Sequence, residues 1–546
     1  MTGLLILALL SPLALAVVSG WRPMARLAPW APLPALALAV VAPAGTVLEL
    51  PWLLLGTRLG LDETGRLFLL LTALVWLLAG WFARGYLADD GRQARFRGFF
   101  LATQAGNLAL CLALDAGSFY LGFSLMTFAA YGLVVHSGST EARRAGAIYL
   151  VMAVLGEAAL LAGILLAVQA GGGDWAFAVL SQGPVAGLAA ALLLLGFGVK
   201  VGLPLLHMWL PLAHPVAPVP ASAVLSGVML KAGVLGWLRF LPLGVEALPE
   251  AGTALMIAGL VGMFFGVVAG LAQRDPKVLL AYSSISQMGF LTLGVGAGLA
   301  APGGWPLLWP AVAFYALHHA LAKSALFLGI GVADRFGATR WVLGGLALPA
   351  MALAGAPFTG GMLAKLELKA GLATLAAPWH DVIVVVLPLA AVGTALLMVR
   401  LFVLVAGRSA SGGARHGLAV PWSVLLLAVT LLPWWQAADP AGALALDTLF
   451  GAGWPLIAAL VLWRLARVWR GVWPVIPAGD IVGVPERWII RLIDASRAWQ
   501  APSPGGRGRA FDVGRLRRWE RVLGSWTLAS SLWLVLVVGG FLALLW

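Results

Sequence analysis

The stretch KVGLPLLHMWLPLAHPVAPVPASAVLSGVMLK, Lys200–Lys231, decides how this chain is read. It begins and ends on lysine, holds His207 and His214, and interrupts an apolar run with Pro204 and four further prolines. Proline has no N–H, so Pro204, four residues after Lys200, leaves the Lys200 carbonyl without its helical partner. His207 follows Lys200 by seven residues and lies near its helix face, two turns along. An ammonium placed in an apolar span costs about 3 kcal/mol even on insertion-derived scales. The plainer reading is a snorkelling lysine and two hydrogen-bonded core histidines. Two lysines and two histidines around a broken helix favour proton handling instead. Histidine titrates near neutrality, and lysine is the cation that burial brings to release its proton.

Working outward, the chain has 546 residues, 61% hydrophobic and only 10% charged. Soluble domains carry about 25% charged residues, so the fold class is an all-α polytopic membrane protein. About sixteen stretches approach the length of a helical span. They are 1–19, 28–43, 64–88, 98–114, 117–136, 145–170, 185–211, 219–242, 252–272, 277–299, 307–332, 343–375, 379–406, 418–437, 450–468 and 523–546. None alternates apolar and polar residues as a barrel strand would. The first lacks a basic n-region and reads as a retained helix rather than a signal peptide. Gly45–Leu61 reads as a hairpin outside the membrane, and residues 485–500 as an amphipathic interfacial helix.

Span 12 repeats the break of span 7: Pro357 lies within Gly355-Ala356-Pro357-Phe358-Thr359-Gly360-Gly361 and precedes Lys365. An offset of five spans makes corresponding helices run in opposite directions, the arithmetic of an inverted repeat. The expected organisation is spans 1–3 in residues 1–97, one repeat unit in 98–242 and a second in 252–406. Spans 14–16 with the interfacial segment then fill 418–546.

The net charge of +13 resides in arginines between spans. Connections after odd-numbered spans hold Arg22, Arg26, Arg92, Arg95, Arg97, Arg143, Arg144, Arg274, Lys277, Arg335, Arg340, Arg408 and Arg415. Connections after even-numbered spans hold few, among them Arg58, Arg66 and Arg239. This bias reads as a topology signal, not nucleic-acid binding: odd connections cytoplasmic, both termini periplasmic. A single cysteine, Cys111, excludes a disulfide framework.

Only six of the thirty-five basic residues are lysines, and Lys200, Lys231, Lys323 and Lys365 sit inside apolar runs. In YALHHALAKSALF, His319 and Lys323 are four apart and share a helix face, whereas His318 and His319 point to different sides. Glu367 faces away from the span 12 break. Glu157, in VMAVLGEAALL, needs a proton or a basic partner from span 7 or 8. No phosphate loop, metal-type spacing or nucleophile elbow appears. The expectation is a chain with no catalytic centre, metal or cofactor of its own.

Lys200–Lys231 resembles the antiporter-like subunits of respiratory complex I, Mrp cation/proton antiporters and group 4 membrane-bound hydrogenases. The local match is best to the hydrogenase and formate hydrogenlyase type, with its pattern P-L-H-x-W-L-P-x-A-H-P-x-A-P-x-P-x-S-A-x-L-S-G-V-M-x-K. RDPKVLLAYSSISQMGF (Arg274–Phe290) and HHALAKSALF (His318–Phe327) agree with it. The resemblance implies about fourteen core helices in two inverted five-helix repeats, each with a broken helix. It implies the broken-helix lysine at Lys200, the central lysine at Lys231 and the second broken-helix lysine at Lys365, with His207, His318, His319 and Lys323 also matching. Two positions depart from the pattern: Ser124 stands where the family has a glutamate, and Leu212 where an acidic residue follows W-L-P. Glu157, one helix on, is the replacement carboxylate to look for.

The function expected is a proton-translocating subunit of a redox-driven ion-pumping complex in a bacterial inner membrane. Its partners would be other membrane subunits, a redox module and the lipid bilayer, and the relay Lys200, His207, Lys231, His318, His319, Lys323, Lys365 and Glu157. The alternatives are a cation/proton antiporter or ion-coupled uptake subunit without a redox partner, and a non-conducting scaffold, which Ser124 and Leu212 favour.

Overall fold

The computed structural model describes residues 1–43, 45–53, 56–183, 185, 187–411, 417–468 and 476–479. The interfacial segment expected at 485–500 and the span expected at 523–546 lie outside the described residues. In chain order the helices are α1 Thr2–Val17, α2 Arg22–Ala25, α3 Leu33–Val41, α4 Glu63–Tyr86, α5 Gln93–Leu112, α6 Ala116–Val134 and α7 Thr140–Ala170. Next come α8 Phe177–Leu180, α9 Leu188–Val201, α10 Trp209–Val216, α11 Val219–Val224, a π-helical turn Leu225–Met229 and α12 Leu230–Phe240. The remainder are α13 Pro249–Leu271, α14 Pro276–Ala300, α15 Trp305–Phe336, α16 Arg340–Ala354, α17 Gly360–Leu372, α18 Trp379–Ala406, α19 Ala419–Gln436, α20 Pro440–Ala443 and α21 Leu446–Val468. Ten spans among the described residues are long and apolar enough to cross a membrane, with α11, the π turn and α12 counting as one. The chain is a multi-pass, all-α membrane protein.

Glycine sets how closely the central helices approach. A Cβ on Gly259 of α13 would lie 2.7 Å from the Gly289 carbonyl of α14, and one on Gly289 only 2.5 Å from that of Gly259. Gly252 and Gly296 repeat the arrangement one heptad away, at 2.6 and 2.8 Å. These helices touch main chain to main chain, as small residues allow inside a membrane. The best apolar windows of α14 and α15 are wholly buried, whereas α19 and α21 are peripheral. Lys323 thus lies on one of the most enclosed helices.

The Gly45–Leu61 stretch folds as an antiparallel hairpin, β1 Thr46–Leu50 and β2 Thr57–Leu61, with Glu49 opposite Arg58. Two charges counted in the sequence as loop signals are built into the fold instead. Arg239 lies in the last turn of α12 and pairs with Asp62, the residue that caps α4 by accepting from Gly65 N at 2.7 Å. Lys277 is buried; its Nζ donates to Pro215 O at 3.2 Å and Ala217 O at 2.5 Å. The proline-rich joint between α10 and α11 cannot satisfy those carbonyls itself, and a cation at a helix C-terminus also suits the dipole.

Candidate functional site

The first helix break follows from local chemistry. Gly202 ends α9 in the left-handed region at φ 81°, and its N–H and that of Leu203 both return to Gly198 O, at 2.9 and 3.0 Å. Pro204 then bars continuation, and Leu205 takes φ 71°. Gly355, Pro357 and Phe358 repeat the pattern at the same spacing after α16, with φ 83° at Gly355 and 64° at Phe358. The lysines occupy opposite sides of the two breaks: Lys200 lies in the last turn before the first, Lys365 in the helix after the second.

Lys200 Nζ faces three rings, 5.2 Å from the Phe123 centroid and 5.9 Å from those of Tyr149 and Trp209. Trp209 is held there by its indole N–H, which donates to Val199 O at 2.8 Å. Aromatic faces partly replace the water an ammonium loses on burial. Lys200 and Glu157 line one small cavity of about 20 Å³, and both are buried. Among the described residues no ion pair joins them. Ser124 Oγ instead donates to Glu157 Oε2 at 2.7 Å. A hydroxyl of α6 therefore holds the carboxyl group supplied by the next helix.

The central residues are more enclosed. Lys231 Nζ donates to Ser226 O at 2.8 Å, back into the π turn, and Lys323 Nζ to Leu280 O at 2.9 Å. His319 lies within electrostatic range of Lys231, Lys323 and His318. His318 in turn lies within range of Lys231 and Lys365. It reaches the second break because Gly361 has no side chain: a Cβ there would fall 2.9 Å from His318 Nε2 and 1.6 Å from Ala352 O. Lys365 Nζ donates to Ala354 O, the end of α16, at 2.7 Å and lies 5.8 Å from the Phe290 centroid. A cavity of about 320 Å³ between α17, α18 and α21 opens beside it. Among the described residues no cluster of three or more His, Cys, Asp or Glu could hold a metal.

Residues 113–390 match the family described as NADH:quinone oxidoreductase/Mrp antiporter, TM. The chain belongs to that family. Hydrogenase-4 component B of Escherichia coli (strain K12) is 33% identical over 50% of this chain and 43% of its own length. NADH-quinone oxidoreductase subunit N of Desulforudis audaxviator is 30% identical over 59% of this chain and 67% of its own. The chain thus spans less than half of the Escherichia coli protein. In fold it is similar to a chain of the Mrp complex from Dietzia sp. DQ12-45-1b, with TM-score 0.73 and 23% identity, covering 99% of this chain and 62% of that one.

For this antiporter-family chain, the structure groups the candidate residues into three sets. Glu157 and Lys200 form one; Lys231, His319, Lys323 and His318 form the second; Lys365 joins the second through His318. The ring of His207 lies 4.9 Å from that of Phe265 and 6.5 Å from that of Tyr282. Glu367 accepts from Ala438 N at 3.0 Å, a contact with the segment after α19. Leu212 is buried in α10. Sequence reasoning passed over Ser226, Ser284, Lys277 and the Asp62–Arg239 pair. A serine among small apolar residues carries no distinctive signal, and a lysine beside Arg274 and Asp275 looks like a solvated loop.

Proposed function

We propose that the chain is a proton-translocating, antiporter-like subunit of a multi-subunit, redox-driven ion-pumping membrane complex. The observation that carries this reading is the run of electrostatic neighbours from Lys231 through His319, Lys323 and His318 to Lys365, buried in a bilayer-spanning fold. Cations are costly there, and those retained mark an ion path. Glu157 with Lys200 supplies the first carboxylate–lysine set, and loss or gain of a proton at one group changes the field felt by the next. The role of His207 is that of a side branch toward α13. Family membership supports the link to pumping complexes, and the hydrogenase-4 and subunit N relatives support a redox partner. The chain itself would hold no cofactor and work with other subunits.

The same reading treats the matching breaks after α9 and α16 as the centres of two inverted units, residues 98–242 and 252–406, with odd connections cytoplasmic and both termini periplasmic. Purification through a tag on this chain identifies the partners, and inverted vesicles measure proton movement. Lys200→Met and Lys365→Met should each abolish translocation while the complex still assembles; wild-type rates in both would refute the reading. A complex lacking any redox subunit would instead favour a cation/proton antiporter. A non-conducting scaffold is countered by the hydrogen bond that holds Glu157 beside the Lys200 cavity.

A further inference from the structure

Two of the carbonyls that receive lysines are themselves joined by side chains. Ser284 Oγ donates to Leu280 O at 2.9 Å, the carbonyl that also receives Lys323. Ser226 Oγ and Ser284 Oγ are 2.7 Å apart. Because the Ser284 hydrogen is committed to Leu280, Ser226 is the donor between them. Ser226 O holds Lys231 Nζ. Ser226 therefore touches both lysines by different atoms: its carbonyl accepts from Lys231 Nζ, and its hydroxyl reaches Lys323 through Ser284 and Leu280 O, with all five residues buried.

The backbone builds this arrangement. The π turn widens the helix at Leu225–Met229, and Lys231, five residues beyond Ser226, folds back onto it. Such turns recur at functional positions. Gly227 lets the turn press against α15, since a Cβ there would stand 2.1 Å from Ser324 Oγ, next to Lys323.

We infer that Ser226 and Ser284 are a coupling pair through which Lys231 and Lys323 sense each other's protonation state, an inference that rests on the relay reading above. The reason lies at Leu280 O, which accepts from both an amine and a hydroxyl. A charged amine donates a far stronger hydrogen bond than a neutral one. Charging Lys323 therefore weakens the hold of Leu280 O on Ser284, whose hydrogen turns to Ser226 Oγ; Ser226, whose carbonyl holds Lys231, then gives up its own donation to Ser284. Discharging Lys323 restores the original direction. The hydroxyl line has two orientations, one for each state of Lys323, and no covalent bond changes. The other titratable groups within electrostatic reach of the two lysines are His318 and His319 of α15, together with His214, which stacks on Phe327 at 4.6 Å and feels Lys323. None of them lies in the hydrogen-bonded line.

The test uses the complex purified through this chain, labelled at lysine Nζ with 15N, reconstituted in vesicles and followed by NMR across a pH series. In the native protein, Lys231→Met should move the titration midpoint of Lys323. In Ser226→Ala/Ser284→Ala that response should shrink to the part that direct charge–charge contact supplies, and proton flux should fall about tenfold, a barrier change of about 1.4 kcal/mol. Ser226→Thr/Ser284→Thr, which keeps both hydroxyls, should recover both. An undiminished response of Lys323 to Lys231→Met in the double alanine variant overturns the inference, as does unchanged flux. Ser284→Cys, close in volume and a weak donor, is read in the same way where the double variant does not fold. Lys200→Met and Lys365→Met in the same vesicles judge the relay separately: wild-type flux in both sinks the relay, while the lysine–lysine response still decides the serine pair.

Discussion

Ser124 Oγ donates to Glu157 Oε2 across 2.7 Å, so a hydroxyl of α6 holds the carboxyl group that α7 places beside the Lys200 cavity. The two side chains occupy facing positions on α6 and α7, beside the ring of Phe123 that Lys200 faces.

The first prediction follows directly. Glu157→Gln should lower proton translocation by tenfold or more, since an amide keeps the shape and cannot take up or release a proton, about 1.4 kcal/mol per factor of ten. Ser124→Ala removes one hydrogen bond to the Glu157 carboxyl, worth about 0.5–1.5 kcal/mol, and should give a smaller loss. The exchanged variant, Ser124→Glu with Glu157→Ser, should recover flux that Glu157→Gln lacks. Vesicle proton uptake measures all three; equal flux in Glu157→Gln and the wild type would remove Glu157 from the path.

The glycines at the second break make a stability prediction. Gly361→Ala forces a Cβ to within 1.6 Å of Ala352 O, so α16 and α17 must separate and His318 must leave its place. Overpacking of this kind costs about 1–3 kcal/mol or more. Gly344, also helical, has nothing within 4 Å of its Cβ position. Gly344→Ala should therefore be neutral or raise stability by up to about 1 kcal/mol. Thermal melts in detergent compare the two, and equal melting temperatures would contradict the packing.

Much of this was legible from residue order, for identifiable reasons. Pro and Gly fix backbone geometry locally, so Pro204 and Pro357 within Gly355–Gly361 announced both breaks. Apolar runs announced the spans because the bilayer requires them. Partnerships across helices were less legible. Ser226 and Ser284 meet only because a π turn rotates one helix locally, and Lys277 is buried only because a proline-rich joint elsewhere leaves carbonyls to cover. Both depend on tertiary approach that no periodicity encodes.

Outside the membrane-spanning helices, Asp90 predicts a pH dependence. Burial opposes its charge, but the hydrogen bond from His136 Nε2 at 2.8 Å, with further help from Arg92 N, outweighs it and holds the carboxyl below its ordinary value of 3.8. A carboxyl with a lowered folded-state pKa contributes stability that is present above the unfolded value and lost as pH falls through the folded one. Asp90→Asn should therefore melt lower than the native protein near neutrality, and the gap should close as pH drops below about 3.8. A gap independent of pH would assign the effect to lost geometry rather than charge.

The last prediction concerns which residue makes the second break. Proline is the obvious candidate, yet Gly355 already leaves the helix at φ 83°, and Gly355 and Ala356 both return their N–H groups to Met351 O at 3.0 Å. The turn is closed before Pro357 is reached. Pro357→Ala should then leave the break intact and flux within about twofold, less than 0.5 kcal/mol of barrier. Gly355→Ala meets two obstacles. A non-glycine residue in the left-handed region costs about 1–2 kcal/mol, and the new Cβ would stand 2.9 Å from Lys365 Nζ, against the lysine that α16's terminal carbonyl holds. Gly355→Ala should therefore displace Lys365 and suppress flux far more than Pro357→Ala. Gly202→Ala supplies the comparison at the first break. Its Cβ would meet nothing closer than 3.8 Å, so it should show the backbone cost without the displaced lysine. Vesicle flux and melting temperature, measured together on the three variants, separate strain from displacement. Flux lost equally in Gly202→Ala and Gly355→Ala would mean that strain alone, and not the position of Lys365, limits transfer.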